Sequence, residues 1–284
     1  MHLMRMEELI KLLSNEKETM KFLYERRRHI NGIECPHCGG RKFYLMSRKR
    51  VRCKKCRRDH DFLKATWLGK IRISYAKWLI LVKLFELEVS ARKASKQVGL
   101  SYPTTLKAFD VIRYVIALRM AKKDEKLKGE IEADDAYFGG KRKGNRGRGA
   151  GGKTIVLGIL ERRGKVSVST IQDASAESLV NETVKKVRRG SIVYTDKWRG
   201  YDSLMFCGYR HLRIDHDSEF KRGRVYINGI EGFWSFAKER LIKHHGISPR
   251  KFLYYIKEME WRYNKRNEDI FGLIADYMLG AVNL

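Results

Sequence analysis

Two Cys-x2-Cys pairs, Cys35/Cys38 and Cys53/Cys56, with fourteen residues between them, constrain this chain more than any other feature. A gap of two residues lets both sulfurs of a pair face one ion while backbone N–H groups support the thiolate charge. Two such knuckles joined by a β-ribbon supply the four ligands of a tetrahedral zinc site. Gly39-Gly40 turns the chain after the first pair. Free thiols and a thioredoxin-like redox motif are the alternatives, and neither explains two pairs inside 22 residues. One structural Zn2+ held by Cys35, Cys38, Cys53 and Cys56 is therefore expected. His37 and His60 lie close enough to replace a sulfur, but four thiolates complete the shell, so they read as facing solvent or phosphate. Cys207 reads as a small apolar side chain without chemistry.

Metal rather than disulfide chemistry implies a reducing compartment, and the chain is expected in the cytoplasm. Its first 28 residues have helical periodicity with charges throughout and lack the apolar run of a secretory signal. The most apolar stretch, Trp78 to Val89, is broken by Lys83, Glu86 and Glu88 and reads as a buried helix, too short to span a bilayer.

The partner class follows from charge. Lys and Arg number 61 against 33 Asp and Glu, a net charge of +28 over 284 residues, which calls for a polyanion. The segment RKFYLMSRKRVRCKKCRRDH holds ten basic residues and no acid before Asp59. Alternation with Phe43, Tyr44 and Val51 reads as a ribbon with one cationic face. On it Arg48, Lys49, Arg50, Arg52, Lys54, Lys55, Arg57 and Arg58 are candidates to neutralise phosphates; a solvated basic surface is the alternative for any single one. Next comes SARKASKQVGLSYPTTLKAFDVIRYVIALR. A helix from Ala91 to Gln97, a turn at Val98-Gly99-Leu100 and a second helix capped by Ser101, with Pro103 in its first turn, make a helix-turn-helix pattern. Tyr102, Thr104, Thr105 and Lys107 would then meet base edges in the major groove. An ordinary helical hairpin is the competing reading.

From about Lys128 the pattern becomes an α/β succession: GEIEADDAYFGG, TIVLGIL and KVSVSTI joined by ERRG as a hairpin, a helix near Ala176 to Val187, and SIVYTDK. The Gly-rich basic stretch KRKGNRGRGAGGK reads as a loop that closes on DNA, with Lys141, Arg142, Lys143, Arg146 and Arg148 as contacts. It lacks the phosphate-loop ending, so nucleotide hydrolysis is not read into it. Asp134 inside the first strand and Asp196 at the end of SIVYT are anomalous, because Asp is depleted in strands and a buried carboxylate needs a partner such as a metal. Glu231 lies in NGIEGFWSFAKERLIKHHG, a helix on which Glu231, Ser235 and Lys238 share one face, and Trp234 and Leu241 line an adjacent face that packs on the sheet.

With 34 residues between Asp196 and Glu231, the three acids resemble the DDE triad of transposases and retroviral-type integrases. The strings IEADDAYFGGKRKGNRGRGAGGK, YTDKWRGY, HDSEF, NGIEGFWSFAKERL and EMEWRYNKR, following a four-cysteine ribbon, closely resemble the ISXO-like family of zinc-ribbon insertion-sequence transposases over residues 30 to 270. The resemblance implies an α/β catalytic domain of RNase H-like fold, a mixed sheet with flanking helices, behind a zinc ribbon and a helix-turn-helix. Its metal-binding residues fall here on Asp134, Asp196 and Glu231. Where many members carry Asp-Glu this chain has Asp134-Asp135; alignment gives the metal role to Asp134, with Asp135 on the opposite strand face. His216 matches a histidine that members carry ahead of the final glutamate and reads as a supporting or substrate-contacting group.

The implied organisation is an N-terminal helical segment (1–30), the zinc ribbon (31–62), the helix-turn-helix region (63–125), the catalytic domain (126–270) and a C-terminal tail (271–284). The implied activity is cleavage and transfer of DNA strands at the ends of an insertion sequence, with two Mg2+ (or Mn2+) ions about 4 Å apart. Asp134 would bridge them, and Asp196 and Glu231 would hold one each. Lys197, Arg199, Lys221, Arg222, Arg224 and Lys238 would line the strand path. Synapsis of two ends calls for a homodimer or larger assembly on DNA. A DNA-binding regulator without catalysis and a non-transposing RNase H-like nuclease are the rival readings.

Overall fold

The computed structural model describes residues 3–46, 50–122, 125–139, 153–214, 226–244 and 246–280. The chain divides into two compact units, residues 1–119 together with 267–284, and residues 120–266.

In the first unit, helices α1 (Met6–Leu13) and α2 (Glu16–Asn31) precede a three-stranded antiparallel ribbon of β1 (Phe43–Leu45), β2 (Arg50–Cys53) and β3 (Asp59–Asp61). Strands this short bury little, and the ribbon interior is made of Cys35, Cys53, Phe43 and Val51. The cysteine sulfurs thus do the work of a missing hydrophobic core. Three helices follow: α3 (Tyr75–Glu86), α4 (Ala91–Val98) and α5 (Tyr102–Ala121). Ser74 and Ser90 cap α3 and α4 by accepting from the N–H of Lys77 and Lys93. Gly99, at φ 62°, ends α4 in the left-handed conformation that a glycine adopts without strain. Ser101 accepts from the Thr104 N–H at the start of α5. Lys83 is buried within apolar α3, and its ammonium is satisfied by the Met4 carbonyl at 2.6 Å and Glu86 at 2.7 Å.

The second unit is a five-stranded sheet. β4 (Glu130–Phe138) pairs antiparallel with β5 (Thr154–Glu161), which pairs antiparallel with β6 (Val166–Ile171). After α6 (Ala176–Lys186), strands β7 (Ile192–Thr195) and β8 (Arg210–Arg213) extend the other side of β4, both in parallel register, giving the order β6-β5-β4-β7-β8. Three antiparallel strands continued by two parallel ones is the RNase H-like mixed sheet. Its two faces bury different partners. Helices α7 (Asn228–Ile242) and α8 (Pro249–Asn264) cover Ala136, Phe138, Val156, Leu160, Val166 and Val168, whereas α6 and the turn at Arg199–Cys207 cover Ile131, Ala133, Leu157, Ile159 and Val193. Strand alternation therefore splits β4, with Glu132 and Asp134 on the α7 side and Asp135 on the α6 side.

The last helix, α9 (Ile270–Leu279), is not a tail. Phe271, Ile274, Met278 and Leu279 are buried, and it packs on α2 and α3 in the first unit, with Arg26 of α2 bonded to Asp276 at 2.6 Å and to the Gly272 carbonyl. An apolar amphipathic stretch needs a surface to bury against, and that surface lies some 250 residues earlier in the chain. Among the described residues, no helix is long and apolar enough to cross a membrane.

Candidate active site

Each knuckle of the ribbon closes on itself by the same pair of backbone bonds. Gly39 N–H donates to the Cys35 carbonyl and Cys35 N–H to that of Gly40; Arg57 N–H donates to Cys53 and Cys53 N–H to Arg58. The turns bring all four sulfurs within 4.8 Å of one another. A Cβ on Gly40 would stand 3.1 Å from the Cys53 sulfur and 3.4 Å from that of Cys38, so glycine is what leaves room beside the cluster. N–H groups of Cys56 and Lys55 hold the Cys53 thiol down to about 7. Cys38 stands at about 11: the Gly40 N–H favours its thiolate, but burial and three neighbouring sulfurs oppose it. Four sulfurs this close become thiolates together only around a cation, and the set fits one tetrahedral Zn2+.

Cations surround this cluster unevenly. Tyr44 is exposed and carries the Lys54 ammonium 4.5 Å and the Arg57 guanidinium 5.9 Å from its ring centre. Arg50, Lys55 and Arg58 are exposed as well. Arg52 departs from the expected cationic face, because its guanidinium is forked onto the Asp59 carboxylate at 2.7 and 3.1 Å, so its charge is already matched. At the start of α5, Tyr102 and Lys107 are exposed and Thr104 half-buried. Thr105 is fully buried with its hydroxyl donated to the Ser101 carbonyl, which removes it from the expected base contacts.

In the second unit, Asp134 stands mid-strand on β4, and Trp234 of α7 donates its Nε1–H to Oδ2 at 3.1 Å. The parallel register of β4 and β7 runs Glu130–Ile192, Ile131–Val193, Glu132–Tyr194, and Asp196 follows the end of β7 near enough for its charge to act on Asp134. Burial, then the charges of Asp135 and Asp196, push the Asp134 carboxyl up to about 7. Asp196 accepts from the Trp198 N–H at 3.1 Å, which turns the chain sharply after β7. Glu231 lies one helical turn before Trp234, on the exposed face of α7 with Ser235 and Lys238, while Trp234 and Leu241 are buried against the sheet. Both aspartates offer the carboxylate oxygens that hard divalent cations take. Glu231 does not close on them in a tight cluster: among the described residues, only the four cysteines gather three or more ligand groups within 4.8 Å.

Lys197 and Arg199, just past Asp196, are exposed. Arg48, Lys49, Lys141, Arg142, Lys143, Arg146, Arg148, His216, Lys221, Arg222 and Arg224 lie outside the described residues. Two groups beside the aspartates escape sequence reasoning. His211 of β8 is half-buried, its Nε2 2.8 Å from the Thr195 hydroxyl, and burial then Arg213 lowers its pKa. Glu132, 1% exposed, pairs with Arg162 at 2.9 Å and accepts from the Ile230 N–H. Its signal was the polar alternation Glu132, Asp134 within an apolar strand.

Comparison with known proteins agrees with this architecture. Residues 14–59 match the model of a transposase zinc-ribbon domain, and residues 126–264 match the ISXO2-like transposase domain. An uncharacterized transposase-like protein of Haemophilus influenzae is 43% identical over 110 residues, 39% of this chain and 85% of that protein. Among solved structures, the Mos1 strand transfer complex covers 72% of this chain and 74% of its own at 10% identity and TM-score 0.30. The Mos1 mariner paired end complex with Mn covers 70% and 74% at 11% identity and TM-score 0.28. Those scores are too low to carry an argument. The two domain matches and the Haemophilus relative are enough: this chain belongs to the ISXO2-like family of zinc-ribbon transposases.

Proposed function

We propose that the chain binds the ends of an insertion sequence and catalyses metal-dependent cleavage and transfer of DNA strands through Asp134, Asp196 and Glu231. The observation that carries this reading is the bond from Trp234 to Asp134, because it seats α7, the helix that bears Glu231 one turn before Trp234, on the strand that bears Asp134. Asp135 stands on the other face of β4, toward α6. Asp134, Asp196 and Glu231 would together hold two Mg2+ or Mn2+ ions. Bound there, the ions activate an oxygen nucleophile on one side of phosphorus and stabilise the leaving oxygen on the other.

The chain's own groups then divide the remaining work. Trp234 orients the Asp134 carboxylate and excludes water from one side of it. Lys197, Arg199 and Lys238 draw in the strand, and the ribbon cations Arg50, Lys54, Lys55, Arg57 and Arg58 hold the duplex by its phosphates. The α4–α5 pair reads sequence through Tyr102, Thr104 and Lys107. Two ends are cut in one complex, so a homodimer or larger assembly forms on DNA.

Joining of a labelled end duplex into plasmid in Mg2+ tests this reading, with wild type beside Asp196→Asn and Glu231→Gln. The expected result is joined product from wild type alone, with end binding retained in all three. Specific end binding with no metal-dependent chemistry in wild type would make the protein a regulator, and hydrolysis without joining would make it a nuclease.

A further inference from the structure

Glu132 is the buried acid of β4 that the triad leaves unused. It lies two residues before Asp134 on the same strand face, and both of its oxygens are committed. Oε2 accepts the Ile230 N–H at 3.0 Å, and Oε1 accepts Arg162 Nε at 2.9 Å. Ile230 is in the first turn of α7, next to Glu231, where a helix has N–H groups without internal partners and favours negative charge. The residue at the N-cap, Ile227, offers no side-chain cap, so the strand supplies one instead. Gly229 admits it: a Cβ there would stand 2.8 Å from Glu132 Oε2 and 3.1 Å from Leu160 Cδ2.

Arg162 extends the tie. Its guanidinium is sandwiched between the rings of Tyr194 and Tyr226, 3.8 and 3.9 Å from their centres, and donates to the Tyr226 carbonyl at 2.6 Å. Tyr194 lies two residues before Asp196 on β7, and its hydroxyl donates to Glu130 of β4 at 2.9 Å. One buried ion pair therefore joins β4, β7 and the entrance to α7, the three places that carry Asp134, Asp196 and Glu231.

We infer that Glu132 and Arg162 are positioning residues, with Glu132 capping α7 from the strand and thereby setting Glu231 against the two aspartates, and with Gly229 giving it access. The inference rests on the triad reading above. Neither residue touches the reacting atoms; both act through the placement of α7.

The test uses the full zinc-loaded chain and reads Mn2+ binding by the loss of free-ion paramagnetic signal, beside melting temperature and hydrogen exchange at the Ile230 amide. Wild type, Glu231→Gln, Gly229→Ala, Arg162→Lys and the double variant Gly229→Ala/Glu132→Asp are compared. Groups that orient metal ligands are worth roughly 10–100-fold in affinity, and Gly229→Ala should lose that much while still folded, together with protection of the Ile230 amide. The shorter aspartate of the double variant retreats from the new methyl group and should recover most of both. Unchanged Mn2+ affinity in Gly229→Ala, or a loss that the aspartate fails to recover, overturns the inference. Should Gly229→Ala not fold, Arg162→Lys decides, since equal affinity there overturns it as well. A wild type that binds no Mn2+, or a Glu231→Gln variant that binds as wild type does, sinks the triad reading and this inference with it. A metal-binding wild type weakened by Glu231→Gln but indifferent to the other variants sinks this inference alone.

Discussion

The ribbon of the first unit and the sheet of the second both hold charge in fixed positions, and they do so from opposite resources. The ribbon has strands of three or four residues and an interior made largely of sulfur, so its order comes from a metal. The sheet has five strands and a core on each face, beneath α7 and α8 and beneath α6, so its order comes from apolar packing. A metal used for folding lets the ribbon spend its surface on cations. A core used for folding lets the sheet hold carboxylates half out of water. The two units should consequently fail in different ways, and the sharpest differences between them are measurable.

Zinc removal has the largest expected effect. Structural zinc contributes roughly 10–16 kcal/mol in small zinc domains, far more than a three-stranded ribbon can replace. A strong chelator should unfold residues 34–61 and abolish DNA binding, while the sheet keeps its circular dichroism and its cooperative melt. Loss of both transitions together would show that the comparison draws the line in the wrong place.

Second in size is the chemistry of the triad. Glu231→Gln keeps the volume of the side chain and an acceptor but withdraws a charge from the proposed metal pair, which is worth several kcal/mol in the transition state. Strand cleavage should fall by about 1,000-fold with end affinity and zinc content unchanged. A fall of less than about tenfold would remove Glu231 from the site.

These expectations also mark what a sequence can carry. The cysteine cluster was legible because its geometry is local: two residues between sulfurs, a glycine after each first turn or its equivalent, and a hairpin between. That Asp134 and Asp135 face opposite sides of the sheet was legible because strand alternation separates them, whereas the metal role of Asp134 came from the family resemblance. The tie between Glu132, Arg162 and Ile230 was not, since the partners lie 30 and 98 residues apart and each looks ordinary by itself. The return of α9 to α2 was hidden for the same reason, as periodicity says that a helix has an apolar face and never what covers it. Thr105 illustrates the limit at one residue's scale. Neighbouring threonines at a helix start look alike in sequence, and only packing decides that Thr104 is half-buried and Thr105 fully so.

The sheet stores a cost of its own at Asp134. The Asp134 carboxyl is raised from 3.8 to about 7, so the folded protein favours its neutral form. Below pH 4 the group is neutral folded or unfolded and costs nothing. As pH rises from 4 to 7 the unfolded state loses its proton first, and stability falls, the loss being complete above 7. Asp134→Asn stays neutral throughout, so without divalent metal it should be more stable than wild type by roughly 2–4 kcal/mol above pH 7 and by nothing near pH 3. Mg2+ should stabilise wild type and not the variant. Equal melting temperatures at pH 8 without metal would mean that the carboxylate is at ease there and needs no cation.

The smallest effect asks whether the ribbon stores a cost too. Its two knuckles are equivalent bond for bond, and the residue that turns each chain back stands in the left-handed region, Gly39 at φ 67° and Arg57 at φ 62°. Glycine adopts that conformation without strain, whereas a side chain there costs roughly 1–2 kcal/mol. Arg57→Gly should therefore stabilise the zinc-loaded ribbon by about 0.5–1 kcal/mol, after allowing for the extra freedom of glycine in the unfolded chain. The same change removes a guanidinium beside Tyr44, and if that cation meets a phosphate, the slope of log affinity against log salt should fall by about 0.9. Stability and affinity would then move in opposite directions through one substitution. That outcome would make Arg57 the ribbon's counterpart of Asp134, each a locally unfavourable residue retained for what it does to DNA. A variant that is more stable and binds as well would leave the strain at Arg57 without a function, and the parallel between the two units would end there.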